Sequence, residues 1–165
     1  MSRAPVILEN YNPLWPEQFE AEKAQLFSIA GKWQVGAIEH IGSTAVPGIP
    51  AKPVIDIMFG VQTLEESKPA IDALSANGYQ YWPYKVDLMH WFCKPDDSFR
   101  THHLHLVPFE SELWQQRICF RDKLRNSAAL AKEYAELKQA LAAKYRNDRE
   151  AYTDKKWPFF QKVLK

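Results

Sequence analysis

The chain has 165 residues, 46% of them hydrophobic and 13% aromatic, and its 21 basic and 20 acidic side chains leave a net charge of +1. That length suits one core, and with neither a membrane-spanning apolar run nor the apolar centre of a secretory signal near the start, a cytoplasmic, membrane-free protein is expected. Cys93 and Cys119 lack metal-type spacing and read as plain thiols.

Charge is distributed unevenly. Residues 1–116 carry 8 basic against 14 acidic side chains, and residues 117–165 carry 13 against 6. The acidic front and basic tail either close on one another, form solvated helix faces, or turn the basic part toward an anionic ligand. No basic-aromatic module of the nucleic-acid-binding kind is visible, so no nucleic acid partner is expected. No repeat or Gly/Ser linker divides the chain, and residues 1–165 read as a single domain.

After a short apolar piece at residues 6–8, residues 12–31 predict a helix with Trp15, Phe19, Leu26 and Ile29 near one face and Gly31 as its stop. VGAIEHIG (35–42) and PVIDIMFGV (53–61) read as strands. Residues 63–79 begin with a cap-like Thr63 and Glu66, and Pro69 marks either a kink or a late helix start. Short strands are expected around Tyr79–Trp82, Leu88–Cys93 and THHLHLV (101–107), with KPDDS as a hairpin connection.

A helix from Ser111 sets Leu113, Trp114, Ile118 and Leu124 toward a core and Arg117, Arg121 and Arg125 in one stripe. A second is predicted from about Ser127 to Arg149, with Leu130, Tyr134, Leu137, Leu141 and Tyr145 inside. A short amphipathic piece, KKWPFFQKVL, follows. The fold class is α/β (α+β): a mixed sheet flanked by helices, then a helical C-terminal segment.

Chemistry centres on HIGSTAVPGIPAKPVIDIMFG (40–60), where Asp56 interrupts a run built for burial. A buried carboxylate needs a partner. Gly42 and Ser43, twelve residues and then Asp56 resemble the signature of the nucleotidyltransferase superfamily, in which a Gly-Ser turn offers N–H groups to phosphate and strand acids hold divalent cations. Taken alone, these residues are better explained by Ser43 capping a turn and Asp56 bonding backbone or a base.

The longer string IEHIGSTAVPGIPAKPVIDI, with Tyr11, Trp15, Phe19, Gly78-Tyr79, THHLHLV, FRDKLR (120–125) and Tyr134 to Lys138, closely resembles the GrpB family. The resemblance covers nearly the whole chain and implies a nucleotidyltransferase-like fold with a pocket over Gly42, Ser43 and Asp56. The sequence departs from the active superfamily pattern at Met58, which stands where a second strand acid is expected and offers no hard oxygen to Mg²⁺.

His103 and His105, at i and i+2, share a strand face and suit Zn²⁺, Mn²⁺ or phosphate. Asp56, His103 and His105 are therefore the expected metal positions, with Mg²⁺, Mn²⁺ or Zn²⁺ as the cofactor. Asp56 is the expected catalytic group. Gly42, Ser43, Lys52, Arg100, Arg121 and Lys138 are expected to bind substrate, although Lys52 pairing with Glu39, and Arg100 as an exposed hairpin residue, are open alternatives. His40 either points into the same pocket or bonds a neighbouring carbonyl.

The expected ligand is a nucleotide or another phosphorylated small molecule. Three activities stay open: transfer of a nucleotidyl group to a small acceptor, non-catalytic binding as an accessory module near coenzyme A synthesis, or a His/Asp metal hydrolase. The residues specify no oligomeric state.

Overall fold

A computed structural model describes residues 5–165. Helix α1 (Trp15–Ala30) runs through a single 3₁₀ turn into β1 (Gln34–Ile41). There follow β2 (Ile55–Val61), α2 (Lys68–Ser75), β3 (Gln80–Trp82), β4 (His90–Asp96), β5 (Phe99–Pro108), α3 (Glu112–Arg125), α4 (Ala128–Lys144) and α5 (Arg149–Leu164). The five strands form one sheet in the order β1-β2-β5-β4-β3. Only β2 and β5 pair in parallel; the other neighbours are antiparallel. The α+β class is therefore as expected.

Strand alternation divides the sheet into two faces. Ile38, Ile55, Ile57, Phe59, Phe92, Leu104 and Leu106 form one face, buried under Trp15, Phe19, Leu26 and Ala30 of α1 and Ala70 and Leu74 of α2. Glu22 is the charged exception on that side. Its carboxylate is held by Lys94 at 2.5 Å, His102 at 3.5 Å and the Tyr79 hydroxyl, so its burial is compensated. The other face carries Ile41, Met58, Trp91, Cys93 and Val107 against Trp114 of α3. A separate apolar cluster joins Phe120 and Leu124 of α3 to Tyr134 of α4, Phe159 and Val163 of α5, and Val46 and Ile49 of the β1–β2 loop.

Beyond the short apolar piece at residues 6–8, Glu9 makes an isolated antiparallel bridge to Ala51. Helix α2 takes the late start, with Pro69 in its first turn, where a missing N–H costs nothing. Thr63 instead accepts from the Glu66 N–H at 3.0 Å in the turn before it.

The long helix expected to reach Arg149 ends at Lys144, and Asp148 caps a new one by accepting from the Ala151 N–H at 3.0 Å. That new helix absorbs KKWPFFQKVL and runs through Pro158, a residue that reads as a breaker in sequence. No helix among the described residues is long and apolar enough to cross a membrane.

Gly60 is where β1 presses closest. A Cβ there would lie 2.1 Å from the Val35 carbonyl oxygen, beside the irregular pairing between Gln34 and Ile38. Backbone cannot yield as a side chain does, so Gly60→Ala should cost about 2 kcal/mol and lower the thermal midpoint by about 5 °C. A melting curve superimposable on the wild type would contradict this packing.

Candidate functional site

The parallel register sets Asp56 beside His103 and Met58 beside His105. Asp56, His103 and His105 therefore share the face that looks toward α3 and α5. A single oxygen, Asp56 Oδ1, lies 3.2 Å from His103 Nδ1 and 3.3 Å from His105 Nε2. With the carboxylate accepting, His103 carries its proton on Nδ1 and His105 on Nε2. The other ring nitrogens face Arg100 Nη1 at 3.5 Å and Met89 Sδ at 3.4 Å. The Asp56 side chain keeps 28% of its surface exposed, so the carboxylate can be reached from solvent.

The Gly42–Ser43 turn closes onto this carboxylate. Gly42 has φ +75°, and a Cβ on it would fall 2.6 Å from Asp56 Oδ2, so only glycine lets the turn approach so closely. Thr44 braces the turn, its hydroxyl accepting from His40 Nε2 at 2.9 Å and donating to the Val54 carbonyl at 3.3 Å. His40 itself stacks on Phe19 at 4.8 Å between ring centroids, on the opposite face of the sheet from Asp56.

Electrostatics couple these groups. Burial by itself would raise the Asp56 carboxyl, but hydrogen bonds from His103 and His105 hold it well below the usual carboxylate range. Burial lowers His105 to about 4 against the pull of Asp56, and lowers His103 in the same direction. The site is thus an anionic carboxylate held by two neutral imidazoles.

Cations surround it. Arg100 sits over the Trp91 ring at 5.1 Å, is salt-bridged to Asp97, and has a side chain only 6% exposed. Burial lowers Arg117 of α3, with Asp56 opposing the shift. Lys52 and Arg149 are also close enough to feel the charge of Asp56. Glu39 is taken by Arg121 at 2.6 Å, so Lys52 does not pair with it.

The residues expected to bind substrate separate into two sets. Gly42, Ser43, Lys52 and Arg100 lie at or beside Asp56. Arg121 is instead committed to Glu39, Asp122 and the His40 carbonyl, and it ties the acidic front to the basic tail. Lys138 is 1% exposed and donates to the Pro50 carbonyl at 2.6 Å, bracing the loop that carries Lys52. Sequence reading missed Arg117 and Arg149 as site residues. The stripe on α3 pointed to Arg117, while nothing marked Arg149, which was placed at the end of the wrong helix.

The divalent ions implied by the nucleotidyltransferase resemblance were tested against these donors. Asp56 is the one carboxylate in the cleft floor, and its two imidazole neighbours donate to it. Met58 is fully buried among Ile41, Met89 and Trp91, so the second acid's position is a dry apolar one. Among the described residues, no group of three or more His, Cys, Asp or Glu is placed to hold a metal ion. The residues present do not fit a two-ion site, and the same observation counts against Asp56, His103 and His105 as a metal-hydrolase centre.

Fold and site define an α+β protein with a carboxylate–histidine floor in a cationic cleft. The family described as GrpB protein matches residues 5–165, and the chain belongs to that family. It is similar to the glutamate-rich protein GrpB of Alkalihalophilus pseudofirmus, with 37% identity over 99% of this chain and 97% of that one. The crystal structure of the conserved protein GrpB from Enterococcus faecalis superposes with a TM-score of 0.86 at 32% identity, covering 95% of this chain and 94% of that one. A shorter similarity, 38% identity over 48% of this chain, is to 20% of a dephospho-CoA kinase from Mycolicibacterium paratuberculosis.

The histidines set an acid limit on stability. His40 and His105 are lowered from 6.5 to about 4, so between those values the unfolded chain binds protons that the native chain refuses. Stability therefore falls as pH drops from 6.5 to 4, by of the order of 3 kcal/mol for each histidine. Asp56, lowered well below its ordinary value, contributes stability above the unfolded carboxylate pKa that is lost only in stronger acid. Urea unfolding across this range should show the first window flattened in His105→Gln; an undiminished slope would place the proton uptake elsewhere.

Proposed function

We propose that the cleft above β2 and β5 binds a phosphorylated small molecule of the nucleotide class, with protein cations rather than metal ions holding the phosphate. The observation that carries this reading is the cationic surrounding of a carboxylate already occupied by two imidazoles: Arg100 lies 3.5 Å from His103, and Arg117, Arg149 and Lys52 are near enough for their charges to interact with Asp56. Guanidinium groups match phosphate oxygens in charge and geometry. The Gly42–Ser43 turn, closed against Asp56, is of the kind that offers backbone N–H groups to phosphate.

Two finer readings divide on Asp56. Nucleotidyl transfer with Asp56 as base or metal ligand draws support from the Gly-Ser turn abutting it. Non-catalytic binding draws support from Met58 and from a carboxylate already satisfied within the protein, and the geometry favours it. The partial similarity to a dephospho-CoA kinase supports a phosphorylated ligand in either case, and is consistent with an accessory role near coenzyme A synthesis.

A thermal-shift series with the four nucleoside triphosphates and coenzyme A precursors, each with Mg²⁺, Mn²⁺ or EDTA, separates the readings. Ligand at one hundred times its dissociation constant adds about 2.7 kcal/mol, which raises the midpoint by several degrees. The rise should persist in EDTA, hold or grow in Asp56→Asn, which removes a repelling charge, and shrink in Arg117→Gln. A shift that requires Mg²⁺ and disappears in Asp56→Asn would favour the transferase; no shift with any phosphorylated compound would end the phosphate-binding reading.

A further inference from the structure

The cationic wall does not stop at Asp56. Lys52 Nζ lies 5.2 Å from the centre of the Tyr152 ring, and Lys156 Nζ lies 4.6 Å from the centre of the same ring. Lys138 Nζ, 4.9 Å from the Tyr134 ring centre, closes the group from α4. Three ammonium groups from a loop and two helices thus gather beside two tyrosines. Among the described residues, none of the three has a carboxylate within salt-bridge distance, while lysines 68, 94 and 162 each do.

The arginines in this region are also incompletely satisfied. Arg149 Nη1 and Arg100 Nε are buried without a hydrogen-bond partner, although buried guanidinium groups ordinarily use their donors. The charged groups acting on Lys52 are Lys156, Arg149, Arg100 and Asp56, and those acting on Lys138 are Lys156 and Lys52. Asp56 is the one acid among them. Gathering like charges in a partly desolvated place is unfavourable, and a bound anion would relieve it.

The charge balance sets the size of that anion. With Lys52 protonated, as an anion beside it requires, Lys52, Arg100, Arg117, Arg149 and Lys156 are opposed by Asp56 and Asp97, an excess of three positive charges in the bound state. A single phosphate group supplies about two negative charges at most and leaves the excess unmet. Two linked phosphates meet it and reach farther along the wall. We infer that the ligand is a diphosphate or longer polyphosphate, lying from Arg100 and Arg149 toward Lys52 and Lys156 and bound without a metal ion; this rests on the phosphate-binding reading above.

A consequence distinguishes this cradle from a general basic surface. Burial, with repulsion from Lys156 and from each other's neighbours, lowers Lys52 to about 7 and Lys138 to about 6. A polyanion arriving beside Lys52 raises it, so binding draws protons onto the protein. A phosphate chain on its own would shed protons on meeting cations, the opposite sign.

The test is isothermal titration of the full chain with orthophosphate and with pyrophosphate, in EDTA at pH 7.5, using two buffers of different ionisation enthalpy. Pyrophosphate should bind at least about tenfold more tightly than orthophosphate, as one further charge-assisted contact provides. It should also bring net uptake of about one proton. Lys156→Met, a substitution on the partly exposed side of α5, should reduce both the preference and the uptake; circular dichroism establishes that this variant is folded. Equal affinities for the two anions, or net proton release, would overturn the polyphosphate inference while leaving phosphate binding standing. If neither anion binds, both readings fall.

Discussion

One carboxylate oxygen shared by two imidazoles is the interaction on which this cleft is built. It exists because β2 and β5 run parallel, the one parallel pair in the sheet, which puts Asp56 level with His103 and within reach of His105 two residues on. Asp56 is thereby stabilised as an anion, the histidines are held neutral, and the Gly42 turn can lie against the carboxylate without a side chain intervening. Loss of the parallel register would separate all of these at once. The geometry is tertiary in origin even though each residue is conspicuous in sequence.

The two faces of the sheet solve opposite problems. Beneath α1 and α2 the face is apolar, and its one acid, Glu22, is satisfied by Lys94, His102 and Tyr79. Over the other face, α3 and α5 supply cations instead of a continuous apolar cover. That division explains how 165 residues carry a firm core and a strongly charged cleft together: the apolar packing needed for stability is concentrated on one side and in the α3–α4–α5 cluster.

The charges around the Gly42–Ser43 turn bear on what that turn can do. A Gly-Ser turn facing strand carboxylates invites divalent ions, which bridge protein and phosphate of like charge. Here Met58 removes one carboxylate, His103 and His105 engage the other, and guanidinium and ammonium groups provide the positive charge that an ion would have brought. On the proposed reading, phosphate affinity needs no metal, and the metal's role in polarising a reacting phosphorus is absent with it.

Much of this was legible in the chain itself. The α+β class, the strands around Asp56 and THHLHLV, the i and i+2 placement of His103 and His105, and the family resemblance all follow from local pattern, because side-chain alternation and turn chemistry act over a few residues. The break between α4 and α5 rests on the Asp148 cap, a short-range signal inside an otherwise helical pattern, and α5 runs on through Pro158. What only the tertiary structure decided is the partner of each charge. Arg121 and Lys138, alike in sequence to the cleft cations, are used up by Glu39 and the Pro50 carbonyl. Arg117 and Arg149 converge instead on Asp56 from helices more than 60 residues away in the chain. Charge pairing over such separations depends on helix rotation and docking, which local sequence does not encode.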